Sequence, residues 1–224
     1  MIEVPVLEGR DRAPVVLCLG AHGDDIEIGC GGTVLRLVEG FPTAQFHWVV
    51  FSGDERRRGE ATASAEAFLS GGDRTQVEVH GFRESYFPHD WAPIKDTFEE
   101  LATAVRPDLI LTHCLEDRHQ DHRTVSELTH NTFRNHLILE YEIPKYDGDL
   151  APVGVFVPLS QAHMDRKADL LMEHFGSQRS RSWFDRRTFE GLARLRGVEC
   201  NSSGGFAEGF RSRKVTLGIS GSEC

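Results

Sequence analysis

Cysteine is sparse and unpaired in this chain. Five cysteines, Cys18, Cys30, Cys114, Cys200 and Cys224, are scattered over 224 residues without one C-x-x-C pair, which fits neither a disulfide framework nor a zinc ribbon. Basic side chains are also in the minority, 25 against 35 acidic ones for a formal net charge of -10. That balance disfavours a nucleic-acid backbone or an anionic bilayer as the main partner. No run of about 18 apolar residues occurs, so no membrane insertion is expected. Residues 1–10 lack the basic-then-apolar pattern of a secretory leader, and the expected location is cytoplasmic. No internal repeat, low-complexity tract or linker divides the sequence. Its apolar residues, 39% of the total, gather into defined runs, which excludes disorder. Residues 1–224 therefore read as one domain, long enough to bury a full core without a structural metal. A metal held here would serve function.

The apolar runs alternate in type. Residues 15–19, bounded by Pro14 and Gly20, have the pattern of a buried parallel strand. Val34, Leu35, Leu37 and Val38 then recur at helical spacing until Gly40. Further strands are predicted over 45–51, 77–79 and 108–112, and helices over 60–69 and 94–105. In the last third, strands are predicted at 141–144, 153–157 and 215–217. A helix over 164–175 carries Met164, Ala168, Leu171, Met172 and Phe175 as a core stripe, and residues 201–205 read as a loop. The alternation predicts an α/β fold, a Rossmann-like single domain whose mostly parallel sheet is flanked by helices on both faces.

In such sheets ligands gather at the carboxyl ends of the strands, and two polar clusters fall there. His22-Gly-Asp-Asp25 follows the first strand, and Glu116-Asp-Arg-His-Gln-Asp-His122 follows the strand ending at Thr112. Imidazole and carboxylate ligands on fixed loops suit a borderline ion such as zinc, and three protein ligands leave one position open. His22 and Asp25, three apart, can be aimed at one point by a tight turn, with His122 joining them from the second loop. Asp24 then lies beside the metal as a general base. His119 is suited to stabilising an oxyanion or protonating a leaving amine, with Asp121 holding its tautomer. These are the parts of a metal hydrolase for an amide or ester. The plainer alternative makes Asp25 a cap for the first helix. Gly29-Cys-Gly-Gly-Thr33 lacks the G-x-G-x-x-G spacing of a dinucleotide cradle, and close backbone approach to the metal loop is the preferred explanation of its glycines. His113 reads as a buried core residue, and Cys30 and Cys114 as small buried fillers.

The segments His22-Gly-Asp-Asp-Ile-Glu-Ile-Gly-Cys-Gly-Gly-Thr33 and His119-Gln-Asp-His122 resemble the LmbE-like deacetylases, the PIG-L family. Arg57-Arg-Gly-Glu60, Arg106-Pro-Asp-Leu-Ile-Leu-Thr-His113, Lys167, Ser177-Gln178 and Ala207-Glu-Gly-Phe210 fall in the same order as in that family. The resemblance implies zinc-dependent removal of an N-acyl group, usually acetyl, from N-acetylglucosamine-type sugars, by hydrolysis of a linear amide. It implies one Zn2+ per chain on His22, Asp25 and His122, Asp24 as base, and His119 paired with Asp121 as the electrostatic or acid histidine. Arg57 matches a substrate-contacting arginine of the family, against the plainer reading of Arg56, Arg57 and Arg58 as a solvated turn. Gln178, with Tyr146 and Asp147 in the polar segment 141–149, completes the expected substrate contacts. The usual family prolines are Gly23 and Gln120 here. A tyrosine of some members is Asp117, which shifts oxyanion stabilisation toward zinc and His119. The expected partner is a small-molecule amino-sugar substrate, with a homo-oligomer left open. Competing readings are a metal-dependent hydrolase of another bond, such as a phosphoester, and a non-catalytic metal-stabilised sugar-binding module.

Overall fold

A computed structural model describes residues 2–9 and 11–217; Cys224 lies outside the described residues. Thirteen elements follow one another: β1 (Val15–Gly20), α1 (Asp25–Gly40), β2 (Gln45–Val50), α2 (Glu55–Phe68), β3 (Arg74–Val79), α3 (Trp91–Ala104), β4 (Leu109–His113), α4 (Gln120–Thr132), β5 (Leu137–Tyr141), β6 (Val155–Leu159), α5 (Gln161–His174), α6 (Arg186–Glu199) and β7 (Phe206–Arg211). The strands form one sheet in the order β3-β2-β1-β4-β5-β7-β6. Pairing is parallel from β3 through β5, and β7 runs antiparallel to both of its neighbours. This is the expected single α/β domain with a mostly parallel sheet.

Alternation along the strands builds a core on each face of the sheet. Val16 and Cys18 of β1 pack with Trp48, Phe68, Leu111 and Leu171 on one side. Leu17 and Leu19 face the other way, against Phe51, Phe98, Ile110 and Leu128. Helices cover both faces, so β1 and β4 are buried along their whole length. The chain runs outward from β1 to β2 and β3, then crosses back to β4 on the other flank of β1. That reversal opens a crevice at the carboxyl ends of β1 and β4, where the two His/Asp clusters lie.

Several boundaries differ from the sequence expectation, each for a local reason. The first helix begins at Asp25 and takes in the glycines expected in a loop, with a break at Cys30 (φ -146°, ψ 19°). Those glycines do not make room for the metal loop. A Cβ at Gly29 would overlap the Tyr141 ring, and one at Gly32 would stand 2.5 Å from Leu159 Cδ1. Residues 215–217 form no strand, and Val215 and Leu217 are exposed. The antiparallel strand is β7 instead, whose apolar pattern is interrupted by the buried Glu208 and by Gly209. Helix α4 starts within the cluster read as a loop, and α6 is an arginine-rich helix capped by Asp185, which accepts the Arg187 amide at 2.8 Å.

The Gly29 contact gives a direct test of packing. Gly29→Ala forces the Tyr141 ring to move, and Tyr141 Oη donates to the Leu19 carbonyl at 2.7 Å. We expect a loss of about 1 to 3 kcal/mol, the usual range for overpacking a filled core. Urea unfolding measures it, and a variant of unchanged stability would contradict the contact.

Candidate metal centre

The turn after β1 is shaped by Asp25. Its Oδ2 accepts the His22 amide at 2.7 Å, so the carboxylate folds back over the turn and does not cap the helix behind it. From that position it faces imidazoles. His22 Nδ1 lies 3.2 Å from Asp25 Oδ2 and His122 Nε2 3.4 Å from Asp25 Oδ1. The two ring nitrogens are 3.1 Å apart. A tetrahedral ion about 2.0 to 2.1 Å from each ligand needs ligand atoms about 3.3 Å from one another. Two imidazole nitrogens and a carboxylate, all three residues buried, thus converge at the spacing such an ion requires. His22, Asp25 and His122 are brought together as the sequence suggested.

The far nitrogen of each imidazole is held by a second carboxylate. His22 Nε2 donates to Asp121 Oδ2 at 3.2 Å, and His122 Nδ1 donates to Asp117 Oδ2 at 2.9 Å. These bonds orient the two rings, so that each turns its other nitrogen toward the same point and can offer a lone pair there once the ring is neutral. Asp121 is itself held by the Ser85 and Phe87 amides at 2.5 and 3.1 Å. Asp117 accepts the His119 amide at 2.8 Å and Lys145 Nζ at 3.0 Å.

The expected pairing of Asp121 with the His119 ring is therefore revised. The Asp121 carboxylate is directed to His22, and it is the Asp121 amide that donates to His119 Nδ1, at 3.3 Å. With Nδ1 accepting, a neutral His119 carries its proton on Nε2. Its ring lies 4.8 and 4.7 Å, centre to centre, from those of His22 and His122. His113, by contrast, uses its Nε2 to accept the Ala21 amide at 3.0 Å and stacks on His122 with centroids 4.0 Å apart. Its lone pair is committed to the backbone, consistent with a buried core role.

Charges within this cluster pull in opposite directions. Burial works against the Asp25 charge, but His122, His22 and His113 outweigh it and hold the carboxyl well below the usual range. For Asp24, burial and then the Asp25 charge push the carboxyl up to about 6. Burial pulls His22 down, yet Asp25 and Asp121 more than offset it and raise the ring to about 10. His122 is raised by the same kind of balance. His119 is lowered by burial and by the two neighbouring imidazoles.

The outer residues are less uniform. Arg57, at the start of α2, is ion-paired with Glu84, and its charge lowers the Asp24 carboxyl. Tyr146 is exposed and its hydroxyl lies 3.1 Å from Ser182 Oγ, joining two loops. Asp147 is exposed on the same loop. Gln178 is buried, bonding Ser177 Oγ at 3.2 Å, and Ser177 is anchored to Glu60. Among the described hydrogen bonds, none joins Gln178 to the histidine cluster. The loop residue that does engage the centre is Lys145, through Asp117. Sequence reading missed the part played by both, although Asp117 stands five residues before a ligand histidine.

An α/β sheet that gathers two imidazoles and a carboxylate at its switch point presents a candidate metal site of an enzyme. The chain belongs to the PIG-L family: residues 17–133 match the family described as GlcNAc-PI de-N-acetylase. No curated protein matches the chain. Among solved structures it is similar to the conserved protein TT1542 of Thermus thermophilus, at 18% identity and a TM-score of 0.71 over 93% of this chain and 99% of that one. It is also similar to the N,N'-diacetylchitobiose deacetylase of Pyrococcus horikoshii, at 20% identity and a TM-score of 0.66 over 93% and 87%. The 4-carboxy-2-hydroxymuconate hydratase GalB of Pseudomonas putida KT2440 shares the fold too, at 17% identity and a TM-score of 0.68 over 92% and 100%.

Because Asp25 and Asp121 keep a proton on His22 until about pH 10, an ion must displace that proton to bind. Zinc affinity should therefore rise with pH from about 6 to 8 and binding near pH 7 should release at least one proton. Calorimetric titration in buffers of different ionisation enthalpy reads the release. Affinity independent of pH over that range would contradict the charge balance.

Proposed function

We propose that the protein is a zinc-dependent N-deacetylase that removes acetyl from an N-acetylated amino sugar or its conjugate. The observation that carries this reading is the convergence of His22 Nδ1, His122 Nε2 and the Asp25 carboxylate at 3.1 to 3.4 Å, with Asp24 next in the chain. A zinc ion held by those three residues would supply Lewis acidity, acidifying water and polarising the acyl carbonyl. Asp24 Oδ2 is buried and has no hydrogen-bond partner in the protein, which suits a carboxylate that takes a proton from the attacking water. A carboxyl raised to about 6 is an effective base near neutral pH and can still return the proton to the departing amine. The carbon–nitrogen bond then breaks to give acetate and the free amino sugar.

His119 acts on the oxyanion. With Nδ1 accepting the Asp121 amide and the ring kept neutral, Nε2–H is a hydrogen-bond donor toward the site. A donor of this kind is worth about 3 to 4 kcal/mol in the transition state. Asp121 contributes by orienting His22. Arg57, beside Asp24, is the first proposed substrate contact, with Tyr146 and Asp147 on the outer loop. Gln178 joins this set through Ser177, which bonds Glu60 on the same helix as Arg57.

Both groups of residues that could hold an ion, His22 with His119 and His122, and Asp25 with His113 and His122, share His122. The candidate ligands thus gather around one histidine, and a single ion held there would favour amide hydrolysis over phosphoester chemistry on paired metals about 3.5 to 4 Å apart. The four described cysteines are buried and free, which fits a reducing compartment and the proposed cytoplasmic location. No helix among the described residues is long and apolar enough to cross a membrane.

Acetate release from a panel of N-acetylated sugars and their nucleotide and lipid conjugates, with and without zinc, tests the reading. Asp24→Asn should bind zinc normally and lower kcat by about 100- to 10,000-fold. Zinc-loaded protein that releases no acetate from any member, or an Asp24→Asn variant of near-normal rate, would overturn the assignment.

A further inference from the structure

The break in α1 at Cys30 is held open by an ion pair from the last third of the chain. In an unbroken helix the Gly32 amide would bond the Ile28 carbonyl. Here the Gly32 amide donates to Glu208 Oε1 at 2.9 Å, and the Thr33 amide and hydroxyl both donate to Glu208 Oε2 at 2.6 Å. The Ile28 carbonyl accepts Lys167 Nζ at 2.7 Å, and Lys167 closes the circuit on Glu208 Oε1 at 2.6 Å. Both charged side chains are at least 96% buried. A charged pair inserted into a helix ladder bends the helix at that point. The turn on the near side of this break is the one that begins with Asp25.

We propose that Lys167 and Glu208 are positioning residues of the metal centre: by holding the two halves of α1 apart they set the direction from which Asp25 meets His22 and His122. The inference rests on the metal-centre reading above and extends it to two residues outside the matched segment 17–133. Lys167 comes from α5 and Glu208 from β7, so the pair couples the antiparallel flank of the sheet to a ligand that follows β1. A glutamate within a strand and a lysine within a helix core are otherwise poorly suited to their surroundings, since burying either charge is unfavourable without this pairing.

The experiment compares zinc affinity, by competition with a chromophoric chelator, and the visible spectrum of the cobalt-substituted protein. The variants are Lys167→Met, Glu208→Gln and the two combined; the combined variant leaves no lone buried charge and keeps the test open where a single substitution does not fold. Arg196→Met is the control, because it breaks the neighbouring buried pair in which Arg196 Nε bonds Glu142 Oε2 at 2.8 Å. All are measured where circular dichroism matches the wild type. We expect zinc affinity to fall about 10- to 100-fold in the Lys167 and Glu208 variants, with a changed cobalt spectrum, and no change in Arg196→Met. Wild-type affinity and spectrum in the combined variant would overturn the proposal, as would an equal loss in the control. Wild-type protein that binds neither ion would instead remove the metal-centre reading, and this inference with it.

Discussion

Asp25 is the group on which the rest of the site depends. Its carboxylate lies within 3.4 Å of ring nitrogens from His22, His113 and His122, and Asp121 and Asp117 hold the outer nitrogens of His22 and His122. Carboxylates and imidazoles thus alternate through a buried volume. Charges so close in a medium of low dielectric are balanced only by protons or by a cation. The same arrangement explains why His22 clings to its proton and why an ion of charge two is a fitting replacement. The electrostatics of the cluster favour a cation as much as its geometry does.

That arrangement needs a rigid floor, and a single tyrosine links its parts. Tyr141, at the end of β5, lies against the Cα of Gly29 in α1. Its hydroxyl reaches the ends of two other strands, at Leu19 of β1 and His113 of β4, at 2.7 and 3.2 Å. His113 in turn accepts the Ala21 amide and stacks under His122. Three strand ends and one helix are thereby tied directly beneath the centre. The glycine is required by the ring that fills its place, and the ring is required by the two strand ends it joins. This is why the glycines after the first cluster serve packing and not the approach of a ligand.

What the sequence made legible follows from which physical signals are local. Residues 15–19 and 108–112 announced buried strands by composition alone, because parallel strands covered on both faces carry unbroken apolar runs. The two ionisable clusters stood out because groups at strand ends had no packing explanation, and the choice of His22, Asp25 and His122 among them came from the family resemblance. β7 was not legible: Glu208 and Gly209 interrupt its apolar pattern, and the reason Glu208 can be buried there is a lysine 41 residues earlier. Helix α4 was hidden because its first turn is made of the polar cluster itself. Lys145 was overlooked for Tyr146 and Asp147, since only the folded chain brings its ammonium to Asp117. The role of Asp121 was misdirected by its nearness to His119 in sequence. Its carboxylate instead accepts from two amides 34 to 36 residues away.

Asp24 and Asp25 are chemically identical neighbours with opposite fates, and the difference assigns their roles. Asp25 is surrounded by imidazoles, which stabilise its charge and fix it as an acceptor that never needs a proton. Asp24 shares the burial but feels only His22 among the imidazoles, and it also feels the charge of Asp25 beside it; Arg57 and His22 offset this only in part. Its carboxyl is therefore the one in the pair whose protonation changes near neutral pH. Environments that separate the pKa values of two adjacent acids also separate the ligand from the base. Exchanging the two roles would require Asp24 to face His22, His113 and His122, and the bond from the His22 amide to Asp25 Oδ2 forbids that turn. One backbone hydrogen bond at the end of β1 thus sets which acid faces the imidazoles, and in the proposed function it separates the cation ligand from the base.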